Sequence, residues 1–376
     1  MEAKLPRHVD LNYIIKIIYL TLISRLRILL FLSGIMKKFF AFQWHITDDC
    51  DQRCKHCYIF SEDYDKPLIT MSYEDIEKVF KNCIRMCKKV DRIPYFSITG
   101  GDPLLHPDFW RILEIFKENH IRFGILGNPF HLNDDVCKKL RSYGCEFYQL
   151  SIDGLKDTHD YFRKEGSFDT TLEKITSLKK AGIHANIMTT VSKTNIDEIP
   201  GIIDEVVEHD VDLFSFARYC PTSLEKSVQM SPEEYHDLLE VCWKRFEKYE
   251  NHETNFNLKD HLWTLFLYEK GLFEIPDGLE DDVIYDGCNC GNSHLTILPS
   301  GEVYACRRME SPVGNALDEE LHDIFFGKKM DEYRRYEEFE KCSKCELLRF
   351  CRGCPAVSYG STHNMYSADP QCWKEV

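Results

Sequence analysis

The sequence predicts an α/β protein in which an open, partial barrel of six βα units is followed by a small cysteine-rich domain. Residues 40–222 alternate short β-rich runs with longer amphipathic helical patterns, which is typical of parallel sheets built from βα units. The last ninety residues differ, because they hold eight of the seventeen cysteines and few long periodic segments. A chain of 376 residues is also longer than one hydrophobic core normally organises.

The alternating region predicts six strands and five helices. The strands are expected at 42–47, 95–99, 122–126, 147–152, 185–190 and 212–217. The helices are expected at 72–88, 107–119, 134–143, 169–181 and 196–209, and several of them open on Ser, Asp or Pro at capping positions. Reactive groups of such a parallel arrangement collect at the carboxyl ends of its strands.

Composition divides the chain into four parts. We expect an N-terminal apolar and basic helical segment at 1–39, the barrel at 40–228, a helical connector at 229–285 and the cysteine-rich domain at 286–376. A Pro, Gly and Asp-rich stretch at 276–282 marks the start of the last part.

Residues 11–40 are the one stretch that suggests contact with a membrane. Lys16, Arg25 and Arg27 interrupt its apolar pattern, and an Arg near a bilayer centre costs about 2.5–3.5 kcal/mol on insertion scales. We therefore expect a helix that packs against the barrel, with peripheral membrane association as the alternative. The stretch also lacks the small-residue cleavage site of a signal peptide.

The net charge and the cysteines of the chain argue against two classes of protein, nucleic-acid-binding proteins and disulfide-bonded proteins. A formal charge of −15 argues against a nucleic-acid-binding surface, which needs a basic stripe. Seventeen cysteines are an odd number for a disulfide framework, and their spacings indicate metal sites. Thiolate-ligated iron clusters need a reducing compartment, so we expect a cytoplasmic protein.

Three cysteines directly after the first predicted strand carry the strongest chemical signal. Cys50, Cys54 and Cys57 have the spacing C-x3-C-x2-C, and the aromatic Tyr58 follows them. Iron–sulfur cubes are usually held by four cysteines, so a three-cysteine loop leaves one iron open for a small molecule. A structural zinc loop is the alternative, although zinc sites generally need a fourth ligand.

Two further strand ends carry polar or glycine-rich motifs. The second strand ends in S-I-T-G-G-D-P, where Gly100 and Gly101 permit close approach of the backbone to a ligand and Asp102 offers a carboxylate to an ammonium. The fourth strand ends in Q-L-S-I-D-G, which contains Ser151 and Asp153. Taken alone, each motif is also compatible with a simple turn.

The loop and the Gly-Gly-Asp turn together resemble the radical S-adenosylmethionine (SAM) superfamily. The resemblance implies a [4Fe–4S] cluster on Cys50, Cys54 and Cys57 and a SAM molecule on its open iron. Asp102 stands where the superfamily more often has Glu, one methylene longer. By the same resemblance, further SAM contacts are expected from Tyr58, Gly100, Gly101, Asp102, Ser151, Asp153, Arg163, Thr190 and Arg218.

The C-terminal cysteines form an array that resembles the SPASM extension of radical SAM enzymes. The pattern is Cys290-x10-Gly301-x4-Cys306, then C-x2-C-x5-C-x2-C from Cys342 to Cys354, and finally Cys372. The resemblance implies two auxiliary [4Fe–4S] clusters, the first on Cys290, Cys306 and Cys354 with Cys288 as a plausible fourth ligand. The second is implied on Cys342, Cys345, Cys351 and Cys372.

The array departs from the family pattern at one point, and a different metal remains an alternative. Two residues separate Cys351 from Cys354 where the family normally has three, so the local geometry differs. A zinc-ribbon-like module is the alternative interpretation of the C-x2-C pairs. The remaining cysteines are expected to pack as small hydrophobes. Cys220 differs from them, because it follows the sixth strand and can give a hydrogen atom to a substrate radical.

These features predict an enzyme that cleaves SAM to a 5′-deoxyadenosyl radical and takes a hydrogen atom from a substrate. The domain pairing implies a peptide or protein substrate and a thioether or carbon–carbon cross-link as product. A peptide epimerase that uses Cys220, and a small-molecule enzyme of the haem or tetrapyrrole pathway, are the alternatives. A flavodoxin or ferredoxin is the expected electron donor. A protein that merely carries electrons is the competing hypothesis, but it has no reason to leave an iron open.

Overall fold

The computed structural model describes residues 39–60, 67–221, 229–280 and 283–376. The predicted N-terminal segment lies almost wholly outside these residues, so its helix and its membrane contact stay predictions. Within the described ranges, no helix combines the length and the apolarity needed to cross a bilayer. All seventeen cysteines are in the described ranges, and every one is a free thiol.

A mixed sheet of ten strands organises the molecule, with the order β10-β9-β8-β1-β2-β3-β4-β5-β6-β7. The strands are β1 (Phe39–His45), β2 (Ile93–Thr99), β3 (Phe123–Leu126), β4 (Cys145–Ser151), β5 (His184–Val191), β6 (Leu213–Arg218), β7 (Asn255–Asn257), β8 (His294–Ile297), β9 (Glu302–Tyr304) and β10 (Pro312–Asn315). Strands β1 to β7 are parallel and lie in chain order. The predicted α/β fold with six parallel βα units is therefore confirmed.

Helices connect the parallel strands and follow the sheet toward the C-terminus. They are α1 (Tyr73–Lys89), α2 (Phe109–Glu118), α3 (Asp134–Ser142), α4 (Lys156–Phe162), α5 (Ser167–Lys180), α6 (Ile199–Glu208), α7 (Pro232–Lys248), α8 (Leu262–Glu269), α9 (Leu321–Phe325), α10 (Lys328–Asp331) and α11 (Pro355–Thr362). Ser72 caps α1 by accepting a hydrogen bond from the Asp75 amide, and Ser231 and Glu234 form a reciprocal capping box on α7.

Aromatic side chains fill the core between the sheet and its helices. Phe42 and Trp44 of β1 are fully buried, as is Phe96 of β2. The rings of Phe42 and Phe96 stack with centroids 5.2 Å apart, and Phe116 of α2 meets Phe96 edge-on at 5.1 Å. This packing fixes the register of β1 and β2, and with it the place where the chain leaves each strand toward the three-cysteine loop and the Gly-Gly-Asp turn.

The sheet extends beyond the six predicted strands at both edges. The short β7 adds to β6 within the predicted helical connector, and β8 adds in parallel to β1 on the opposite edge. Strands β8, β9 and β10 form an antiparallel meander within the cysteine-rich region. The sequence does not predict these strands, because runs of three or four residues are too short to show a clear alternation. The short helix α4 is missed for the same reason.

Candidate functional site

A cavity of about 330 Å³ lies where the parallel strands end. Residues from the carboxyl-terminal half of each of β1 to β6, or from the loop directly after it, line its wall. The sequence-predicted residues that border it are Cys50, Cys54, Cys57, Tyr58, Gly100, Gly101, Ser151, Arg163, Thr190, Arg218 and Cys220. The topology thus brings together eleven of the thirteen residues predicted as catalytic or as SAM contacts.

The three cysteines after β1 are half-buried and are surrounded by nitrogen donors. The Gln52 amide donates to Cys50 Sγ at 3.4 Å, and the Ile59 amide donates to Cys57 Sγ at the same distance. Arg163 Nη1 lies 3.8 Å from Cys54 Sγ. Hydrogen bonds and positive charge at cysteine sulfurs stabilise thiolate ligands and tune iron–sulfur clusters. The donor set therefore fits a cluster on these three cysteines.

Without a metal, burial disfavours the thiolate forms in this loop. It raises the pKa of Cys50 to about 11, and it also raises the pKa of Cys54 although Arg163 acts in the opposite direction. Metal binding to such thiols must release protons, so the affinity for a cluster depends on pH.

The Gly-Gly-Asp turn after β2 supports the cysteine loop directly. A Cβ on Gly100 would lie 2.2 Å from the carbonyl oxygen of Thr47, and a Cβ on Gly101 would lie 2.2 Å from that of Asp49. The two glycines are therefore required by the close approach of the loop that carries Cys50. Their peptide units still border the cavity, where contact with SAM remains a prediction.

The Asp102 carboxylate faces away from the cavity. It is fully buried, and its two oxygens accept hydrogen bonds from the amides of Leu104, at 2.9 Å, and Asn128, at 3.3 Å. Asp102 does not line the cavity, and its direct contact with SAM stays a prediction. The carboxylate caps the 3-10 turn Pro103–Leu105 and holds the start of the loop after β3.

Asp153 also lies behind the cavity wall, where it orients two cationic side chains. Its Oδ2 accepts from Arg163 Nε at 2.6 Å and lies 3.3 Å from His56 Nε2, while its Oδ1 accepts from the Thr190 amide. Burial alone would raise the pKa of Asp153, but Arg163 and His56 hold it far below its usual range. Asp153 thus positions Arg163, and its own contact with SAM stays a prediction.

Tyr58 lies at the junction of the cysteine loop and the C-terminal region. Its ring packs under the guanidinium of Arg307, with the Arg307 carbon 4.1 Å from the ring centroid. Burial raises the pKa of Tyr58 to about 12, so its hydroxyl stays protonated at neutral pH. The ring borders the cavity and is available for the predicted contact with an adenine.

The side chain of Arg218, at the end of β6, forms hydrogen bonds with other parts of the protein. Its guanidinium is fully buried and donates four hydrogen bonds, one to Asp260, two to Asp369 and one to Gln371. The residue borders the cavity, but this network occupies most of its donors. A SAM contact by the guanidinium is therefore disfavoured. The contacts of Arg218 join β6 to the connector and to the C-terminal tail.

The C-terminal cysteines form two groups of interacting thiols. In the second auxiliary set (Cys342, Cys345, Cys351 and Cys372), each thiol interacts electrostatically with others of the set. Burial raises the pKa of Cys342 to about 12, and the nearby Cys372 adds to this rise. The chain thus places side by side the four residues that the resemblance assigned to one cluster. Their role as its ligands remains a prediction.

The first auxiliary set (Cys288, Cys290, Cys306 and Cys354) contains a fifth neighbour. The thiols of Cys288 and Cys290 interact with each other, and both Cys306 and Cys354 interact electrostatically with this pair. The Cys220 thiol interacts with that of Cys354, and Cys220 also borders the cavity. Cys220 therefore lies between the predicted SAM site and the predicted first auxiliary cluster.

Sequence reasoning missed several residues that line the cavity. Three are cations that come from outside the predicted barrel, and four are polar or sulfur-containing residues on the strands or the loop after β3. No motif marks any of them, and the three cations are brought in by β7 and by the turn after β9. They are Lys259, Arg307, Arg308, Gln43, Asn128, Gln149 and Met188.

Two family models match the chain. The radical SAM superfamily model matches residues 44–212, and the SPASM iron–sulfur cluster-binding domain matches residues 288–355. The chain therefore contains a radical SAM domain and a SPASM domain. It is accordingly an enzyme, and its cofactors are SAM and iron–sulfur clusters, auxiliary clusters included.

Relatives of this radical SAM protein carry two kinds of name. An AdoMet-dependent heme synthase of Methanosarcina barkeri is 25% identical over 341 residues, which cover 88% of this chain and 95% of the relative. The mycofactocin maturase MftC of Mycolicibacterium smegmatis is 28% identical over 42% of this chain and 38% of its own. The antilisterial bacteriocin subtilosin biosynthesis protein AlbA of Bacillus subtilis is 24% identical over 83% of this chain and 66% of its own.

A solved structure shares the fold over most of the chain. The crystal structure of Streptococcus suis SuiB bound to S-adenosylmethionine aligns with a TM-score of 0.69 and 18% identity. The alignment covers 91% of this chain and 80% of SuiB. This likeness agrees with the barrel and the cysteine-rich domain described above.

Proposed function

We propose that this radical SAM enzyme takes a hydrogen atom from a side chain of a ribosomally made peptide and so forms a thioether or carbon–carbon cross-link. The size of the cavity carries the proposal. Ligand pockets range over about 300–1,000 Å³, and a cavity of about 330 Å³ holds one cofactor-sized molecule. Once SAM is bound, the remaining space admits only a narrow part of the substrate, such as a peptide side chain.

Two of the relatives support a peptide substrate through their names, one as a maturase and one as a bacteriocin biosynthesis protein. Cys50, Cys54 and Cys57 would hold a cluster, which would supply the electron for cleavage of SAM to methionine and the 5′-deoxyadenosyl radical. The protein's own residues bind and orient the reactants. We assign Ser151 and Arg163 to SAM, with Arg163 held in place by Asp153.

The auxiliary cysteine sets are proposed to take up an electron in the second half of such a reaction. A cross-link removes two hydrogen atoms from the peptide, one to the deoxyadenosyl carbon and the other as a proton and an electron. A cluster on the first auxiliary set would accept that electron, because Cys220 and Cys354 connect this set to the cavity wall. A flavodoxin or ferredoxin is the proposed source of the initiating electron, and the proposed location is the cytoplasm.

A tetrapyrrole substrate is the second candidate, and a specific observation favours it. The heme synthase from Methanosarcina barkeri matches over 95% of its length, more than either peptide-related relative. Tetrapyrroles of haem biosynthesis carry carboxylate side chains, and the cavity described above is lined by several cations. The small volume of that cavity is the argument against it, since the macrocycle would have to bind at its mouth.

Epimerisation at Cys220 is the third possibility within the class. The residue borders the cavity, as a hydrogen-atom donor must. Its interaction with Cys354 also makes it a neighbour of the predicted first auxiliary cluster, which offers a structural reason for its presence. An epimerase returns a hydrogen atom to the substrate, so its product keeps the substrate's mass.

Transfer of deuterium from substrate to 5′-deoxyadenosine tests the proposal. The anaerobically reconstituted enzyme is given SAM, a reductant and deuterated short peptides encoded by reading frames that neighbour its gene. We expect deuterium in 5′-deoxyadenosine and a peptide product that has lost two hydrogen atoms, both measured by mass spectrometry. A parallel reaction with deuterated iron coproporphyrin III tests the second candidate. Transfer from the porphyrin alone would contradict the peptide proposal. A peptide that has exchanged a deuterium for hydrogen at an inverted stereocentre would indicate epimerisation.

A further inference from the structure

The lining of the cavity carries positive charge and no carboxylate. Among the described residues that border it there is no Asp or Glu, although the chain as a whole has a formal charge of −15. Its cations are Arg163, Arg218, Lys259, Arg307 and Arg308. A concave surface of one sign within a protein of the opposite sign attracts ligands of complementary charge.

Two of these five cations already have counter-ions behind the wall. Arg163 pairs with Asp153 at 2.6 Å. Arg218 pairs with Asp260 at 2.9 Å and with Asp369 at 2.6 Å. Their charges are therefore balanced within the protein before any ligand binds.

Lys259, Arg307 and Arg308 lack such partners. In the described ranges, none of the three has a carboxylate oxygen within 4.0 Å. The polar contact of the Lys259 ammonium is the thioether sulfur of Met188, at 3.7 Å. Arg308 donates to the carbonyl oxygen of Arg218 and lies 3.8 Å from Cys354 Sγ. The Nε atom of Arg307 is buried without a hydrogen-bond partner.

The ammonium of Lys259 has no neighbouring thiolate of a predicted cluster to offset its charge. Thiolates of the first auxiliary set lie beside Arg308 and offset its charge. Lys259 instead follows β7, is exposed and borders the cavity. The surrounding protein and the charge of Arg308 lower the pKa of Lys259 to about 8. An unpaired cation beside a cavity attracts an anion that arrives with a ligand.

We propose that Lys259, together with Arg308, forms a subsite that binds a carboxylate of the substrate. The inference rests on the proposed function, since it places the substrate in the cavity where SAM is cleaved. It adds the chemical class of the group next to the reacting carbon, which is a carboxylate of a peptide or a propionate of a tetrapyrrole. A Lys ammonium and an Arg fork are the donors that proteins use for such groups.

The carboxylate of SAM is a less suitable occupant of this subsite. The neighbours of Lys259 are Met188, Arg308 and His294. The cationic neighbour of the three-cysteine loop is Arg163, which contacts Cys54. SAM is expected on the open iron of that loop, so Arg163 is its nearest cation, whereas Lys259 belongs to the side of the cavity next to the first auxiliary set.

Binding of paired probes to the reconstituted holoenzyme tests the subsite. The enzyme is loaded with SAM and left without reductant. The peptide arm uses N-acetyl-glutamate N-methylamide and its uncharged glutamine analogue, measured by calorimetry. The tetrapyrrole arm uses coproporphyrin III and its tetramethyl ester, measured by fluorescence. The variants are Lys259→Met, Lys259→Arg and the surface control Lys81→Met, whose lysine is exposed and pairs with Glu77.

We expect the wild type to bind the carboxylate probe of one arm about tenfold to a hundredfold more tightly than its uncharged analogue. Lys259→Met should remove this preference, whereas Lys259→Arg and Lys81→Met should keep it. Preference in the peptide arm supports the subsite with a peptide ligand. Preference in the tetrapyrrole arm alone supports the subsite with the second candidate substrate. An equal affinity for charged and uncharged probes in the wild type, or an unchanged preference in Lys259→Met, would overturn the inference.

The failure of this inference is separable from the failure of the proposed function. Formation of 5′-deoxyadenosine by the same wild-type preparation, after a reductant is added, reports on the SAM site without any probe. Active wild-type enzyme without a carboxylate preference would reject the subsite alone. Wild-type enzyme that binds both probe types and never cleaves SAM would reject the proposed function.

Discussion

Lys259 combines an unpaired charge with an unusual titration. With its pKa lowered to about 8, a fraction of the free protein carries a neutral amine at mildly alkaline pH. The charged groups that face it are Arg308, which stays protonated, and His294, whose pKa is lowered to about 4 and which stays neutral above pH 6. Within pH 6.5–9, Lys259 is therefore the one of these three groups that changes charge.

Binding of a carboxylate probe should accordingly weaken as the pH rises through about 8. The sign follows from the charged form being the one that binds, since the amine form has no Coulomb attraction for a carboxylate. In Lys259→Arg the affinity should stay level up to pH 9, because a guanidinium does not titrate there. Calorimetric affinities at pH 6.5, 7.5 and 9 provide the measurement. A wild-type affinity that is level across this range would show that Lys259 does not contribute charge.

At the scale of single residues, the sequence predicted which side chains are near the cavity better than it predicted their contacts. Asp102 and Asp153 are in the right loops, but their oxygens are used by backbone amides, by Arg163 and by His56. A motif fixes the position of a residue in the chain, whereas the direction of its side chain depends on distant partners. Lys259 was missed for the same reason, because only the fold brings it to the cavity.

At the scale of elements, the six βα units were predictable because each combines a buried strand with an amphipathic helix of several turns. Strands β1 to β6 are observed within three residues of the expected bounds. The additional strands β7 to β10 contain three or four residues each and owe their conformation to pairing with the sheet edges. They matter for the site, because β7 leads to Lys259 and β9 leads to Arg307 and Arg308.

Arg218 joins three elements, and removing its charge should destabilise their junction. Arg218→Met leaves the buried carboxylates of Asp260 and Asp369 without a counter-ion, which typically costs about 3–5 kcal/mol. We expect a corresponding loss in the free energy of unfolding, measured by anaerobic urea denaturation. The matched control is Arg122→Met, since Arg122 is 77% exposed in its pair with Glu146 and exposed pairs contribute about 0–1 kcal/mol. Equal losses in the two variants would contradict a structural role for Arg218.

At the scale of the whole molecule, the chain concentrates negative charge on its exterior and positive charge in its cavity. A total of −15 argues against a broad basic surface, but it gave no hint of the cationic lining. Composition averages over the chain, and the lining draws its cations from four separate segments. The distribution of charge becomes visible only when the fold brings those segments together.

The C-terminal region shows the same dependence on the whole molecule. The resemblance implied two sets of four cysteines, and the fold brings the members of each set near one another. The spacing gave no reason to place Cys220 beside the first set, because 68 residues separate it from Cys288. Cys220 reaches that set because β6 ends next to the turn that carries Arg308.

Cleavage of SAM at the three-cysteine loop is the step on which the proposed function and the substrate subsite both depend. Formation of 5′-deoxyadenosine by anaerobically reconstituted and reduced protein tests this most directly, with Cys54→Ala compared against the core-cysteine control Cys137→Ala. We predict that Cys54→Ala abolishes the product and loses about four iron atoms, while the control retains activity and iron content. Continued formation of 5′-deoxyadenosine by Cys54→Ala at the wild-type rate would contradict the account.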